Sequence, residues 1–438
     1  MKLNLGEVQL EGGYDVELPT FIPVKQTFDL MSIPPQEIPP LINKQFQIKQ
    51  ISQRVKPGMK IAVGVGSRGI TNLSLIVKSV VIELKRLGAE PFIVPAMGSH
   101  GAGKADLQAE ILTEYGIFEE NIGAPIRAGM ETVYLGQVPQ GVDVFFDKLA
   151  YEEADGIIVV SRIKPHTDFK GPIESGIMKM LGIGLGKHKG ASYLHRGGIA
   201  DFADLIPAVG KHIIDNTPFL FGLGIIENAY HDTAHLEIVL KEELLKREAE
   251  LLVKAKQLMP RLLFDQIDVL VVEEIGKNIS GSGMDSNIIG RSACDPLLVF
   301  EGAPKISKIV VLNLTKETNG NATGIGLADF TTGRTVEQID FSALYANATT
   351  AIEIGGAKLP VIMENDRKAL IMAIRTAGKR NFDDVKIVHI KNTLELNQIF
   401  VSENLRTEVE QHPNMQVIGE STPWKFDSSD YLVSMKEF

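Results

Sequence analysis

Short apolar runs alternate with longer amphipathic stretches along most of this chain. The first two runs, Lys60–Val65 and 91–95, are each followed by a stretch with helical spacing, at 74–87 and 104–115. Apolar runs of this length are typical of strands buried on both faces, and their alternation with helices predicts a mostly parallel sheet covered on both sides. The same pattern predicts strands at 142–146, 156–160, 219–226 and 236–240, and a helix at 200–214.

A second alternation begins after a charged amphipathic helix predicted at 241–258, which we interpret as a linker or rim helix between domains. It comprises strands predicted at 269–273, 309–312 and 385–389 and a helix at 361–377; the Pro-rich start of the chain contains only a strand-like piece at 16–19. The 438 residues exceed one hydrophobic core. We therefore predict an α/β protein with an N-terminal domain over 1–260 and a C-terminal domain over 261–438. Each is a mostly parallel sheet flanked by helices, with a cleft between the two.

Composition narrows the class of protein. Apolar residues make up 44% and charged residues 23%, which is ordinary for a globular protein. The net charge of −10 argues against nucleic acid or an anionic membrane as a partner. A single cysteine, Cys294, excludes an internal disulfide and a Cys-rich metal site. No signal peptide precedes the first domain and no apolar run has the ~20 residues of a membrane span, so we expect a cytoplasmic protein.

The strongest chemical signal follows the predicted strand at 156–160, in SRIKPHTDFKGPIESGIMKMLGIGLGKHKGASYLH. This stretch contains His166, Ser175-Gly176, Lys179 and His195. Glycines let the backbone approach a ligand closely, lysines provide charge for an anion, and neutral imidazoles serve as bases or metal ligands. We predict a glycine-bounded binding loop here, surrounded by a positive collar of Lys164, Lys170, Lys187 and Lys189.

Two earlier loops also lie between a strand and a helix, where ligands bind in such sheets. The first contains Ser67 and Arg68, which suit a phosphate or a carboxylate. The second contains His100 within Gly98-xxxx-Gly103-Lys104. This is the spacing of a phosphate-binding P-loop, although an alanine follows where a P-loop has Ser or Thr. The alternative interpretation makes His100 a general base.

Weaker signals lie further along the chain. His231 and His235 have the spacing of a zinc helix, but the sequence after them is typical of a strand, which favours surface histidines. Lys277 follows a strand of the second domain in a Gly- and Ser-rich loop, and Asn313 and Thr315 follow the next strand. These side chains are candidates for the same cleft.

In order and spacing, these motifs resemble the nickel-dependent lactate racemases, whose cofactor is a nickel-pincer nucleotide bound to a lysine through a thioamide. The resemblance implies that Lys179 carries the cofactor, that His195 binds nickel, and that His100 and His166 are the catalytic bases. It also implies cofactor contacts from Ser175, Gly176, Ser67 and Arg68, and substrate contacts from Arg68 and Lys277. Val65 stands where the family has an aspartate, and the separation of His166 from Lys179 is a few residues longer.

The resemblance implies an isomerase, a racemase or epimerase of a 2-hydroxy acid that acts by reversible hydride transfer to the cofactor. Each enantiomer needs a base on its own face, which accounts for two histidines. The expected partners are the small-molecule substrate and the enzymes that synthesise the cofactor. Two alternatives remain open. One is a phosphate- or nucleotide-binding enzyme of the same fold without nickel. The other is a binding protein without catalysis, which Val65 and the altered loop between His166 and Lys179 favour.

Overall fold

The structure is a computed structural model that describes residues 11, 13–67 and 69–434, and it divides the chain into two compact units. One unit is Asp29–Met259. The other runs from Pro260 onward and includes the segment that ends at Phe28, which contains strand β1 (Phe21–Gln26). Our sequence analysis placed the residues up to Phe28 in the first domain, whereas those of them that the structure describes pack with the second unit. The predicted cleft stays a prediction.

The unit Asp29–Met259 contains a five-stranded sheet. Its strand order is β3-β2-β6-β7-β8, parallel except for the antiparallel last strand, with β4 and β5 as a separate hairpin. The elements are α1 (Ile38–Ile48), β2 (Lys60–Val65), α2 (Leu73–Arg86), β3 (Glu90–Pro95), α3 (Ala105–Glu114), α4 (Glu119–Ile122), β4 (Thr132–Gln137), β5 (Asp143–Asp147), α5 (Lys148–Glu153), β6 (Gly156–Arg162), α6 (Ile177–Lys179), α7 (Lys187–His195), α8 (Phe202–Asn216), β7 (Phe219–Glu227), β8 (Thr233–Leu240) and α9 (Leu244–Leu258). A π-helical turn, Met180–Gly184, lies between α6 and α7.

The pattern of the strands explains why this sheet is covered on both faces. Ile61, Val63 and Val65 of β2 pack into one core with the buried faces of α1 and α2. Ala62, between them, faces the opposite core, which contains residues of α6, α8 and α9. Successive strand residues point to opposite faces, so a continuous apolar run is what two covering layers require. The predicted α/β class is confirmed.

Two helices of this unit correct the sequence analysis. α1 was not predicted, because its sequence begins Ile-Pro-Pro; proline is tolerated in the first turn, where the backbone N–H has no helical partner. α9 was predicted as a linker or rim helix. It instead belongs to the first unit and buries one face, which includes Leu244, Glu248, Leu251, Leu252, Ala255 and Leu258.

The other unit contains an eight-stranded sheet of order β12-β11-β10-β9-β13-β14-β1-β15. The strands from β12 to β13 are parallel, and the remaining pairs are antiparallel. The elements after β1 are β9 (Gln266–Val272), α10 (Ser286–Ile289), β10 (Lys305–Val311), β11 (Phe330–Thr332), α11 (Gly333–Glu337), α12 (Phe341–Thr350), β12 (Val361–Met363), α13 (Asp366–Thr376), β13 (Ile387–Ile390), β14 (Gln398–Ser402), α14 (Arg406–Gln411) and β15 (Met415–Val417).

The helix predicted at 361–377 begins later than predicted. Residues 361–363 form the edge strand β12, and α13 begins at Asp366 because the Asn365 side chain accepts a hydrogen bond from the Lys368 amide at 2.9 Å. Asparagine is among the strongest residues at such a helix N-cap. Among the helices that the structure describes, none is both long and apolar enough to cross a membrane.

Candidate functional site

The loops that contain the predicted site residues follow three neighbouring parallel strands. β2 lies between β3 and β6, so the carboxyl ends of the three strands meet at one edge of the sheet. Loops at this edge are where open α/β sheets bind ligands. The sequence analysis predicted the loops, and the strand order brings them together.

The first two loops pack against the helical turn that directly follows Lys179. A Cβ on Gly66 would lie 2.7 Å from the Met180 Cε, and a Cβ on Gly184 would lie 2.7 Å from the Ala96 carbonyl oxygen. The Gly98 amide donates to the Gly184 carbonyl at 3.0 Å. Glycine at position 66 leaves room for the Met180 side chain and glycine at position 184 for the Ala96 carbonyl, so the three loops share one contact region. The turn at Met180–Gly184 is π-helical. Such turns are rare in proteins overall, but those that occur are often found at functional sites.

The third segment is folded more tightly than the predicted glycine-bounded loop. Lys164 and Ser175 form an antiparallel bridge, with backbone hydrogen bonds of 3.0 and 3.2 Å. Helical structure begins at Ile177, so Lys179 is the last residue of α6 and His195 the last residue of α7. The many glycines here concealed the helices because glycine is a poor helix former.

His166 is held in place by its neighbours on this segment. Its backbone amide donates to Glu174 Oε2 at 2.7 Å, and its Nδ1 accepts from the Asp168 amide at 3.0 Å. The side chain is 12% exposed. Burial, then the positive charges of Lys179 and the nearby lysines, hold the pKa of His166 well below its usual range. The imidazole is therefore neutral at pH 7, the form that can accept a proton.

His195 is a second neutral imidazole under the influence of the same lysine. Burial, then the charge of Lys179, lowers its pKa to about 4. Its Nδ1 is buried and has no hydrogen-bond partner among the described residues. The ring packs on Phe202 at 4.9 Å between centroids, Phe202 contacts Phe169 at 5.6 Å, and Phe169 contacts His166 at 4.4 Å. The structure thus brings His166, Lys179 and His195 together.

His100 lies on the second loop and is exposed. Its Nδ1 is hydrogen-bonded to the Ser67 hydroxyl of the first loop. Tyr115 donates to the Ser67 carbonyl at 2.9 Å, and Gln108 donates to the His100 carbonyl at 2.9 Å. Ser67 thus orients the ring of His100, a contact that the sequence did not indicate. The predicted cofactor contact of Ser67 stays a prediction, and Arg68 lies outside the described residues.

The P-loop interpretation finds little support in this second loop. A P-loop presents backbone amides to a phosphate. Here the Gly98 amide is used on Gly184, and Gln108 donates to the carbonyls of Gly98 and His100 at 3.1 and 2.9 Å. The geometry favours the interpretation in which this loop presents His100.

The predicted positive collar needs one correction. Lys187 is wholly buried, with its ammonium 2.7 Å from Asp147 Oδ2 and donating to the Pro95 carbonyl at 2.5 Å. Burial lowers the pKa of Lys187, and the Asp147 charge opposes that shift. The ion pair connects the start of α7 with the end of β5, and the hydrogen bond to Pro95 connects it with the end of β3, from which the His100 loop departs. No sequence signal identified it, because Asp147 ends an apolar strand.

Two buried glutamates complete the site, and the sequence analysis assigned a role to neither. Glu174 accepts from Lys256 of α9 at 2.6 Å and lies 3.4 Å from the Lys170 ammonium. Glu248, also of α9, accepts from the Met178 amide at 3.1 Å. Burial raises the pKa of Glu248 to about 8, although the amides of Met178 and Ile177 oppose the shift. Lys256 is distant in sequence from Glu174, and Met178 is distant from Glu248, so no local motif reveals these contacts with α9.

The remaining candidates lie elsewhere. Lys277 belongs to the other unit, where its ammonium donates to the Gly281 carbonyl at 2.9 Å and to Asn347 Oδ1 at 3.3 Å. Its role on a substrate stays a prediction. His235 lies on β8 rather than on a helix, and it contacts Glu237 at 3.0 Å and Lys254 at 3.1 Å. This agrees with the interpretation of the histidines at 231 and 235 as surface residues.

One family model matches part of this chain. Residues 30–201 match the model of the lactate racemase N-terminal domain. Among solved structures, the chain is similar to the lactate racemase apoprotein from Thermoanaerobacterium thermosaccharolyticum, with 12% identity, 86% of this chain and 89% of that chain covered, and a TM-score of 0.48. It is also similar to a structural-genomics protein from Thermotoga maritima, with 13% identity, 65% and 72% covered, and a TM-score of 0.48. No curated protein matches.

The fold and the site therefore define an α/β protein whose binding loops lie at the carboxyl edge of a parallel sheet. Residues 30–201 are similar to the N-terminal domain of the lactate racemases, and this stretch contains the predicted site residues from Ser67 to His195. The resemblance found in the sequence is confirmed at this level.

The residues present fit the cofactor of the family. A lysine for covalent attachment lies within the electrostatic reach of a buried, neutral imidazole whose Nδ1 is unpaired among the described residues. Imidazole is a common ligand of divalent nickel. Lys179 and His195 would thus hold a nickel-pincer nucleotide.

Proposed function

We propose that this protein is a racemase or epimerase of a 2-hydroxy acid, with a nickel-pincer nucleotide attached at Lys179. The observation that carries the proposal is the grouping of His166, Lys179 and His195, two neutral imidazoles that share one lysine as an electrostatic neighbour. Structural ion pairs do not explain this arrangement, because neither imidazole is charged at neutral pH.

When bound, the cofactor would supply a reversible acceptor for the hydride of the substrate α-carbon, which avoids removal of a proton of very low acidity. His195 would ligate nickel through a ring nitrogen, and Lys179 would provide the covalent anchor. The chain's own task is then to bind the carboxylate and to move the hydroxyl proton.

His100 and His166 would move that proton, each on one face of the planar intermediate. For His166, Nδ1 accepts from the Asp168 amide at 3.0 Å, which orients the ring. For His100, Nδ1 is hydrogen-bonded to the Ser67 hydroxyl; with Ser67 as the acceptor, Nδ1 carries the ring proton and Nε2 can accept one. Each base therefore has an orienting partner, the arrangement that general acid–base catalysis requires.

The first experiment tests the anchor. The protein is expressed together with cofactor-synthesising enzymes, and its intact mass and peptides are measured. We expect a covalent addition on the peptide that contains Lys179, its loss in Lys179→Ala, and its retention in the control Lys189→Ala. Active protein with an unmodified Lys179 would contradict the proposal.

The second experiment tests nickel and the reaction. His195→Ala should lose most of its bound nickel, whereas His188→Ala, an exposed position of the same helix, should keep it.

Substrate labelled with deuterium at the α-carbon should retain its label through inversion. Exchange of the label with solvent would indicate direct removal of the α-proton instead.

A further inference from the structure

Glu248 lies directly beneath the segment that contains Lys179, although it comes from a distant helix. Its side chain is buried on α9, and one oxygen accepts from the Met178 amide at 3.1 Å. The Ile177 amide also hydrogen-bonds to this carboxyl group. These are the first two amides of α6, which have no partner within their own helix. Lys179 is the next residue.

The same carboxyl group explains the glycine of the Ser175-Gly176 motif. A Cβ on Gly176 would lie 2.0 Å from Glu248 Oε1 and 2.9 Å from its Cδ. No side chain could remain at position 176 while the carboxyl stays where it is. Gly176 is thus required by a neighbour within the protein, in addition to any contact with a cofactor.

Burial of the Glu248 carboxyl at this position lowers the stability of the fold. Glu248 Oε1 has no hydrogen-bond partner in the part of the chain that the structure describes. Glu174, the other buried glutamate of the site, has two lysines within 3.4 Å. A buried carboxyl without a cation destabilises a fold, and an apolar side chain of similar volume would avoid that cost. The contact with α6 is what an apolar side chain could not provide.

We propose that Glu248 is a positioning residue that fixes the first turn of α6 and thereby sets the position of the Lys179 amine. This rests on the proposed role of Lys179 as the anchor. α9 contributes a parallel contact on the other side of the site, because Lys256 binds Glu174, which in turn accepts the His166 amide. One helix thus supports both the anchor and a proposed base.

The test measures the reactivity of the Lys179 amine in protein without cofactor, so it does not depend on catalysis. The protein is treated with limiting acetic anhydride, and acetylation of Lys179 relative to the exposed Lys189 is quantified by peptide mass spectrometry. Glu248→Met keeps the volume and removes the acceptor, whereas Glu248→Gln keeps a carbonyl for the two amides. Glu250→Gln, on the exposed face of the same helix, is the matched control.

Loss of the acceptor should change the labelling ratio by about fivefold or more, since it leaves two helix amides unpaired. Glu248→Gln and Glu250→Gln should stay near the parent ratio. An unchanged ratio in Glu248→Met, or a change of equal size in Glu248→Gln, would overturn the proposal. An unmodified Lys179 in active enzyme would overturn the proposed function yet leave this result intact.

A double-mutant cycle provides a second measurement if Glu248→Met folds poorly. Gly176→Ala should disturb the Lys179 ratio strongly in the parent and much less in Glu248→Ala, because the atoms that its Cβ would meet most closely are then gone. Equal effects of Gly176→Ala in both backgrounds would show that the carboxyl does not set this position.

Discussion

The two units place glycine-rich loops at the carboxyl ends of parallel strands, but they treat the polar groups of those loops differently. After β9 and β10, the side chains bind one another: Thr315 donates to Asn278 Oδ1 at 2.6 Å, and the Lys277 amide donates to Thr318 Oγ1 at 3.1 Å. After β6, the buried imidazoles of His166 and His195 are kept neutral, and one ring nitrogen is unpaired among the described residues. Loops at the same place in the two sheets therefore differ. In one unit their polar groups form a hydrogen-bonded network, and in the other they include neutral imidazoles that can accept a proton or a metal.

The largest expected difference between the units is in turnover. His166→Ala and His100→Ala should each lower the rate by ~10²–10⁴-fold, the usual contribution of a positioned acid or base. Initial rates in both directions measure this effect. His212→Gln, which keeps a donor for the Leu135 carbonyl, should leave the rate unchanged. If both His166→Ala and His100→Ala lower the rate by less than tenfold, the histidine loops would not differ in function from the hydrogen-bonded loops of the other unit.

The next effect is on the stability of the first unit. Asp147→Ala leaves the buried ammonium of Lys187 without its counter-ion, and breaking such a pair costs about 3–5 kcal/mol. Chemical unfolding measures the loss, and Asp147→Ala combined with Lys187→Met should recover part of it. If the single variant is as stable as the parent, the ion pair does not support the His100 loop.

The pH dependence of the unfolding free energy should show whether the Glu248 carboxyl is protonated in the folded protein. Its pKa is raised to about 8, so the folded state keeps a proton that the unfolded chain loses near pH 4.5. The contribution of this group is therefore present at low pH and is lost as pH rises from about 4.5 to about 8. The stability of the parent relative to Glu248→Gln should fall by about 1.4 kcal/mol per pH unit in that window. A flat difference would mean that Glu248 is ionised in the folded protein.

The smallest effect is expected in the satisfied network of the second unit. Thr315→Ala removes one hydrogen bond and should cost about 1 kcal/mol of unfolding free energy. Turnover should change little, because the polar groups of this network are hydrogen-bonded to one another. A large loss of turnover with unchanged stability would instead support the prediction that Thr315 lines the substrate cleft.

Local pattern was sufficient for the parallel strands of the unit Asp29–Met259 and for the positions of the three loops, but it missed β11 and predicted β12 as part of a helix. It identified His166, Lys179 and His195, because unusual residue types concentrate there. It missed α7, which contains Gly190 and follows a glycine-rich stretch of low helix propensity, and it placed Lys187 on the surface, although that side chain is buried. Asp147 and Glu248 could not be predicted, because each acts on residues far from it in sequence and only the folded strand order brings them together.

The pairing of β1 has a consequence for the order in which the chain is made. β1 is synthesised before the other strands of its sheet, yet it pairs with β14 and β15, which are synthesised after them. β1 therefore stays without its partner strands until β14 and β15 have left the ribosome. A fragment that begins at Pro260 would expose the hydrogen-bonding edge of β14 and leave β15 without its partner strand, and such an edge invites pairing with other chains. Fragments of this protein should therefore retain Phe21–Gln26, supplied in the same chain or as a separate peptide.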